Sequence, residues 1–141
     1  MSAAPRTIEL EVEGVTAVAE LLDDVSPEAA EAFWSSLPLD VRILQTKWAG
    51  AAVYFRPPPS AVAAVKELEN PVCSIYPGTL VYSPDGGELL IAHAASEYRR
   101  HVGTDYVSRI AEIVENRAPF LAVLSRMRDE GAKHLSIRRR G

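Results

Sequence analysis

The sharpest local grouping of reactive side chains in this sequence is the tripeptide Glu69-Asn70-Pro71. A carboxylate accepts hydrogen bonds or a proton, and an amide both donates and accepts. Because proline cannot donate to a strand ladder, we expect both polar side chains on a loop, where rigid scaffolds commonly carry their binding residues. Glu69 and Asn70 are therefore ligand-binding candidates. The alternative is structural, with Asn70 in a turn and Glu69 in solvent.

Aromatic side chains supply further candidates. Trp48, Tyr54, Tyr76 and Tyr82 could line a pocket of the apolar kind that small molecules occupy. The alternative is packing in the core, where large aromatic side chains are mostly buried. We keep Trp48, Tyr76 and Tyr82 as ligand-binding candidates.

His93 completes the candidate set, because an imidazole gains and loses a proton near neutral pH. His93, Glu97 and His101 are spaced by four residues, which on one helix would form a zinc-binding face. His93 ends an alternating strand pattern, however, so we predict neither a metal site nor a cofactor. Cys73 has no histidine beside it and is interpreted as a small buried residue. No catalytic residue is assigned.

We expect these candidates to converge on one cleft. Glu69 and Asn70 lead into the strand pair that contains Tyr82 and His93. Trp48 ends a strand at a turn, and loops gather where strands end. Such a cleft needs an apolar wall and a few polar groups, which this set provides.

Composition narrows the class of protein. The 141 residues, 48% hydrophobic and 24% charged, predict a single domain over residues 1–141. One cysteine cannot form an internal disulfide, and neither a signal peptide nor an apolar run of about 18 residues is found. We therefore expect a cytoplasmic protein without a membrane partner. The net charge of −4 argues against a nucleic acid partner.

Alternating apolar and polar residues predict several strands. The clearest is Thr7–Glu13, followed by a hairpin return over Val15–Leu21. A second hairpin is predicted from Thr79–Ser83 and Glu88–His93, and a last strand from Lys133–Arg138. The sequence is therefore mainly β.

Two helices are also predicted. Ser26 is a favourable N-cap and Pro27 suits the first helical position, with Phe33 on the apolar face that follows. A second helix is expected over Arg117–Glu130. The spacing within Thr104–Glu115 is compatible with a helix, although its β-branched residues favour a strand.

Several short motifs are spread in order over nearly the whole chain: Leu21-Leu22, Ser26-Pro27-Glu28-Ala29-Ala30-Glu31-Ala32-Phe33-Trp34, Leu37-Pro38-Leu39, Lys47-Trp48-Ala49-Gly50, Glu69-Asn70-Pro71, Tyr76-Pro77-Gly78 and Glu130-Gly131-Ala132. In this order they resemble an uncharacterised bacterial family with a cyclophilin-like fold, domain of unknown function 3830. The resemblance implies a closed cyclophilin-like β-barrel capped by short helices. It also implies that Thr104–Glu115 is mostly strand.

True cyclophilins isomerise X–Pro bonds and carry a Phe-His-Arg signature after the first helix. The corresponding stretch, Val41–Trp48, contains Arg42 and Gln45 but lacks that signature. A shared fold does not by itself carry a shared activity. Peptidyl-prolyl isomerisation is therefore kept only as an alternative.

The leading hypothesis is a small-molecule-binding protein, or an enzyme acting on a small molecule, with its site at the barrel rim. Besides the isomerase, a non-catalytic interaction subunit remains open, including a homo-oligomer. The apolar stretch near Ala61–Val65 would then provide an interface.

Overall fold

The computed structural model describes residues 4–57 and 62–140. Along the chain the elements are β1 Thr7–Val12, β2 Val15–Leu21, α1 Pro27–Ser36, β3 Leu39–Gln45, β4 Gly50–Phe55, a 3-10 turn Val62–Ala64, β5 Pro71–Val72, β6 Ser74–Ile75, β7 Thr79–Ser83, β8 Glu88–Glu97, β9 Arg99–Arg100, β10 Gly103–Thr104, β11 Val107–Glu115, α2 Arg117–Ser125, α3 Met127–Glu130 and β12 Lys133–Arg140.

Eight antiparallel strands form a closed barrel in the order β2-β1-β12-β3-β4-β8-β7-β11, and the pairing of β11 with β2 completes the ring. The prediction of a mainly β chain with a closed barrel is confirmed. The resemblance also resolved the ambiguous segment correctly, since Val107–Glu115 is strand β11. The short strands β5 and β6 add to β11 and β8, and β9 and β10 form a separate hairpin.

The alternation in β1 explains how the wall is built. Ile8 and Leu10 are fully buried in the barrel, whereas Glu9 and Glu11 point outward. On the neighbouring strand β12, Arg138 lies 3.5 Å from Glu9 and 3.2 Å from Glu11. The carboxylate row seen in the sequence therefore faces a cation across the strand pair.

A helix closes each end of the barrel. Because β2 and β11 are antiparallel neighbours, α1, which follows β2, and α2, which follows β11, lie at opposite ends. Phe33 of α1 and Phe120 of α2 are both fully buried in the interior cluster. The second predicted helix is interrupted at Arg126, so that α2 and the single turn α3 replace one helix over Arg117–Glu130.

A second, smaller apolar cluster lies on the outer face of the barrel. Along β8, Leu89 and Ile91 belong to the interior cluster, and Leu90 belongs to the outer one. Ile75 and Tyr98, from the segments that flank β8, cover this outer face. The barrel wall is therefore two layers thick on this side. Within residues 4–57 and 62–140, no helix is both long and apolar enough to cross a membrane.

Candidate functional site

The six candidate residues do not meet in one cleft. The backbone N–H of Glu69 donates to Ser108 Oγ over 2.9 Å, and Ser108 is in register with Tyr82, which is in register with Leu89. His93 lies four residues further along β8, about 13 Å at the usual rise of a strand. Glu69 and His93 therefore lie towards opposite ends of the barrel, and the expected convergence was wrong.

Glu69 caps helix α1 from a distance in sequence. Its carboxylate accepts the backbone N–H groups of Ala29 at 2.7 Å and Glu28 at 3.2 Å, both in the first helical turn. Ser26, expected to cap this helix, makes no side-chain cap bond and instead donates to the carbonyl oxygen of Glu69. Asn70 follows with a left-handed φ of 46°, a conformation that asparagine tolerates. Glu69 thus has a structural role at this end.

Tyr82 and His93 occupy the interior of the barrel and its other end. Tyr82 is fully buried, its hydroxyl has no hydrogen-bond partner among the described residues, and burial raises its pKa. His93 Nε2 lies 3.0 Å from Gln45 Oε1, and because that oxygen accepts, the imidazole donates. Burial, together with the charge of Arg128, lowers the pKa of His93.

Trp48 and Tyr76 are the two candidates that the structure places together. They are 57% and 76% exposed and line a cleft of about 440 Å³ on the outer wall of the barrel, named here the Tyr76 cleft. Its remaining lining residues are Ala49, Gly50, Ser74, Ile75, Ala95, Ser96, Glu97 and Arg99.

A second cleft, the Trp48 groove, adjoins the first and shares Trp48, Ala49 and Arg99 with it. Its volume is about 270 Å³. It lies between the β3–β4 loop, the β7–β8 turn and the segment around β9. The groove is lined by Thr46, Lys47, Trp48, Ala49, Tyr54, Arg56, Asp85, Gly86, Glu88, Leu90, Tyr98, Arg99, Arg100 and His101.

The Trp48 groove is locally basic on an acidic protein. Lys47, Arg56, Arg99 and Arg100 line it against two carboxylates, whereas the whole chain carries a net charge of −4. Arg100 is tied to Asp105 at 2.8 Å. Arg99 and Arg56 are 55% and 65% exposed and pair more loosely, and Lys47 is exposed without an ion-pair partner in the described part of the chain. Three cations are thus available to an incoming anion.

Aromatic and apolar groups complete the groove. The rings of Trp48 and His101 lie 6.4 Å apart, centroid to centroid, at an angle of 58°. Tyr54 projects outward from β4 and packs against the outer apolar cluster, to which Leu90 also belongs. The groove therefore joins a flat aromatic surface to a rim of cations.

Beneath the groove, a chain of hydrogen bonds runs from the β7–β8 turn to Glu88. The Gly86 N–H donates to Ser83 Oγ at 2.9 Å, and the Tyr98 hydroxyl lies 3.0 Å from Ser83 Oγ and 2.8 Å from Glu88 Oε1. A carboxylate only accepts and a phenol has one proton, so Tyr98 donates to Glu88 and accepts from Ser83. Tyr98 is fully buried, and burial raises its pKa, which keeps the hydroxyl protonated.

Sequence reasoning identified Trp48 and Tyr54 as aromatic residues that could line a pocket but missed the rest of this groove. Its walls come from segments far apart in the chain, and the pairing of β4 with β8 brings two of them together. The tract Arg99-Arg100-His101, which directly follows the buried Tyr98, was the available signal. His101 had been considered only as a zinc ligand, and the structure forms no group of three or more metal-binding side chains within its described residues.

The described residues named for the two alternative functions line neither cleft. Arg42 is exposed on β3 and lines neither cleft. In the proposed interface segment, Val62 is fully buried and Val65 packs against the interior cluster, while Ala61 lies outside the described residues.

A family model for DUF3830, described as a protein of unknown function, matches residues 8–137. Among solved structures, McbB in complex with tryptophan superposes with a TM-score of 0.75 at 18% identity, covering 95% of this chain and 45% of McbB. The chain thus spans less than half the length of McbB. The hypothetical protein AF2241 from Archaeoglobus fulgidus gives a TM-score of 0.63 at 17% identity, covering 99% and 98% of the two chains. No curated protein matched significantly.

Proposed function

The chain belongs to DUF3830, a family of proteins of unknown function, and we propose that it binds small aromatic carboxylates in the Trp48 groove. The observation that carries this proposal is the placement of the exposed indole of Trp48 beside a rim of cations in one cleft. The indole offers a face to a planar ring, and the cations offer partners to a carboxylate.

Electrostatics favour an anionic ligand. The Arg56 guanidinium is 3.9 Å from Glu88, and the pair of Arg99 with Glu97 is half exposed, so each contributes little in solvent. A ligand carboxylate can exchange for these weak partners or bind Lys47 directly. The binding free energy should then fall as salt is added, because the charges concerned are exposed.

Size and shape favour a small ring system. A volume of about 270 Å³ lies near the lower end of ligand pockets, and the base formed by Leu90 and Tyr54 is apolar. McbB, which shares the fold, was solved with tryptophan, which is an aromatic carboxylate. Indole carboxylates are therefore the first compounds to test.

Calorimetric titration tests the proposal with L-tryptophan, indole-3-propionate, uncharged indole and the non-aromatic hexanoate. We expect the two indole carboxylates to bind more tightly than indole or hexanoate. Trp48→Ala should weaken their binding about fivefold or more, since it removes the stacking surface. Lys47→Ala should weaken binding most at low salt.

Tyr106→Ala is the matched control, because Tyr106 is 55% exposed, close to the 57% of Trp48, but lines neither cleft. It should leave the affinity unchanged. Failure of both indole carboxylates to bind would overturn the proposal, as would binding that Trp48→Ala and Tyr106→Ala affect equally.

A further inference from the structure

We infer that Glu88 is a specificity-determining residue of the Trp48 groove and selects aromatic carboxylates that also carry an amino group, that is, aromatic amino acids over simple aromatic acids. This inference rests on the proposed function. In a groove otherwise dominated by cations, the carboxylate of Glu88 recognises the ammonium group of the ligand.

Glu88 is held in place before any ligand arrives. Its Oε1 accepts the hydroxyl of Tyr98 at 2.8 Å, and that hydroxyl is fixed in turn by Ser83 at 3.0 Å. Little space surrounds these hydrogen bonds, since a Cβ added at Gly86 would lie 2.6 Å from the Tyr98 hydroxyl and 2.9 Å from Ser83 Oγ. The orientation of the carboxylate is therefore set by buried groups.

The second oxygen of Glu88 is available. No described residue donates a hydrogen bond to Oε2, and its nearest recorded cation, Arg56, lies 3.9 Å away, beyond hydrogen-bond distance. The Glu88 side chain is nevertheless only 16% exposed, so that a donor reaching Oε2 would be partly shielded from water. Partial shielding strengthens a charged hydrogen bond.

The surroundings explain why an ammonium group fits this position. An α-amino acid carries its two charges close together, so a carboxylate bound at Lys47 or Arg99 would present its amino group within the same small cleft. Glu88 lines that cleft together with both cations. A simple aromatic acid has no donor for Oε2, and its carboxylate would lie near Glu88 with no ammonium group to offset the repulsion between the two carboxylates.

Calorimetric titration of the wild-type protein with L-tryptophan, indole-3-propionate and tryptamine tests the proposed function separately from the role of Glu88. We expect L-tryptophan to bind about tenfold more tightly than indole-3-propionate, the effect of one charge-assisted hydrogen bond. If neither carboxylate binds, the proposed function itself fails. If indole-3-propionate binds as tightly as L-tryptophan or more tightly, the groove stands and the role of Glu88 is overturned.

Glu88→Gln assigns the preference to this residue, because glutamine retains an acceptor for Tyr98 but loses the charge. The preference for L-tryptophan over indole-3-propionate should disappear in this variant, while indole-3-propionate binds at least as well as before. Glu115→Gln, an equal charge change at an exposed residue outside both clefts, should preserve the preference.

Retention of the preference for L-tryptophan in Glu88→Gln, or an equal loss of affinity for both ligands, would overturn the inference. Should Glu88→Gln fail to fold, the wild-type comparison still decides.

Discussion

The hydroxyl of Tyr98 lies 2.8 Å from Glu88 Oε1 and links a fully buried phenol to a carboxylate that lines the surface groove. This contact joins the outer apolar layer to the candidate site, because Tyr98 packs in the outer cluster while Glu88 faces the ligand space. A second fully buried tyrosine, Tyr82, lies inside the barrel with no partner for its hydroxyl among the described residues. The two residues provide a matched comparison.

Tyr98→Phe should lower the free energy of unfolding by about 1–3 kcal/mol, because it leaves the buried Ser83 hydroxyl without its acceptor and Glu88 Oε1 without its donor. Tyr82→Phe removes a hydroxyl that has no described partner, and we expect a change of less than about 0.5 kcal/mol or a small gain. Urea denaturation of both variants measures the difference. Equal losses in the two variants would show that the Tyr98 hydrogen bonds contribute nothing specific.

Phe33→Ala should lower the free energy of unfolding by about 3–5 kcal/mol, because Phe33 is fully buried where α1 closes the barrel. Chemical denaturation measures the loss, and Tyr106→Ala, at an exposed aromatic residue, should change stability by less than about 0.5 kcal/mol. A loss below about 1 kcal/mol for Phe33→Ala would mean that this side chain does not plug the barrel end.

The pair of Glu130 and Lys133 should make stability depend on pH. Lys133 Nζ lies 2.6 Å from Glu130 Oε1, and this hydrogen bond to a cation lowers the pKa of Glu130 below its usual range. A carboxylate with a lowered pKa stabilises the fold above its unfolded-state pKa and loses that contribution as pH falls through the folded-state value. Glu130→Gln should therefore be less stable than wild type at pH 7, and this difference in stability should shrink as pH falls below the usual carboxyl range.

Thermal unfolding at several pH values measures the difference in stability between Glu130→Gln and wild type. The variant remains foldable because Glu13 still pairs with Lys133, at 2.9 Å. Glu115→Gln serves as the control, since no described residue forms an ion pair with Glu115, and this variant should be about as stable as wild type. If the difference in stability between Glu130→Gln and wild type stays constant as pH falls from 7 through the usual carboxyl range, the lowered pKa of Glu130 is contradicted.

The barrel could be predicted because its strands carry a local signal. In β1 the alternation of Ile8, Leu10 and Val12 with glutamates identifies the buried face without any knowledge of partners. For Thr104–Glu115 the spacing was compatible with a helix while the β-branched residues favoured a strand, and the family resemblance decided for a strand. One face of this strand packs in the interior cluster and the other face packs in the outer cluster. Its apolar residues therefore do not alternate cleanly with polar ones.

The candidate site could not be predicted in the same way, because its contacts join distant parts of the chain. Glu69 was singled out as a polar loop residue, yet its carboxylate caps α1 some forty residues earlier, at Glu28 and Ala29. Tyr82 was taken for a pocket aromatic but lies in the core, since β7 is buried on both faces. Glu88 had no local feature that marked it, because its role depends on Tyr98.

The most direct test of the Trp48 groove is the ¹⁵N–¹H spectrum of the protein as unlabelled indole-3-propionate is added. The chain has two tryptophans, and Trp34→Phe assigns their indole N–H signals. The guanidinium carbons of Arg6 and Arg139 lie 5.0 and 5.1 Å from the centroid of the Trp34 ring, which lines neither cleft and serves as an internal control. We predict a saturable shift of the Trp48 signal and none of the Trp34 signal. A saturable shift of Trp34 alone, or no shift of Trp48 at saturating ligand, would contradict binding in this groove.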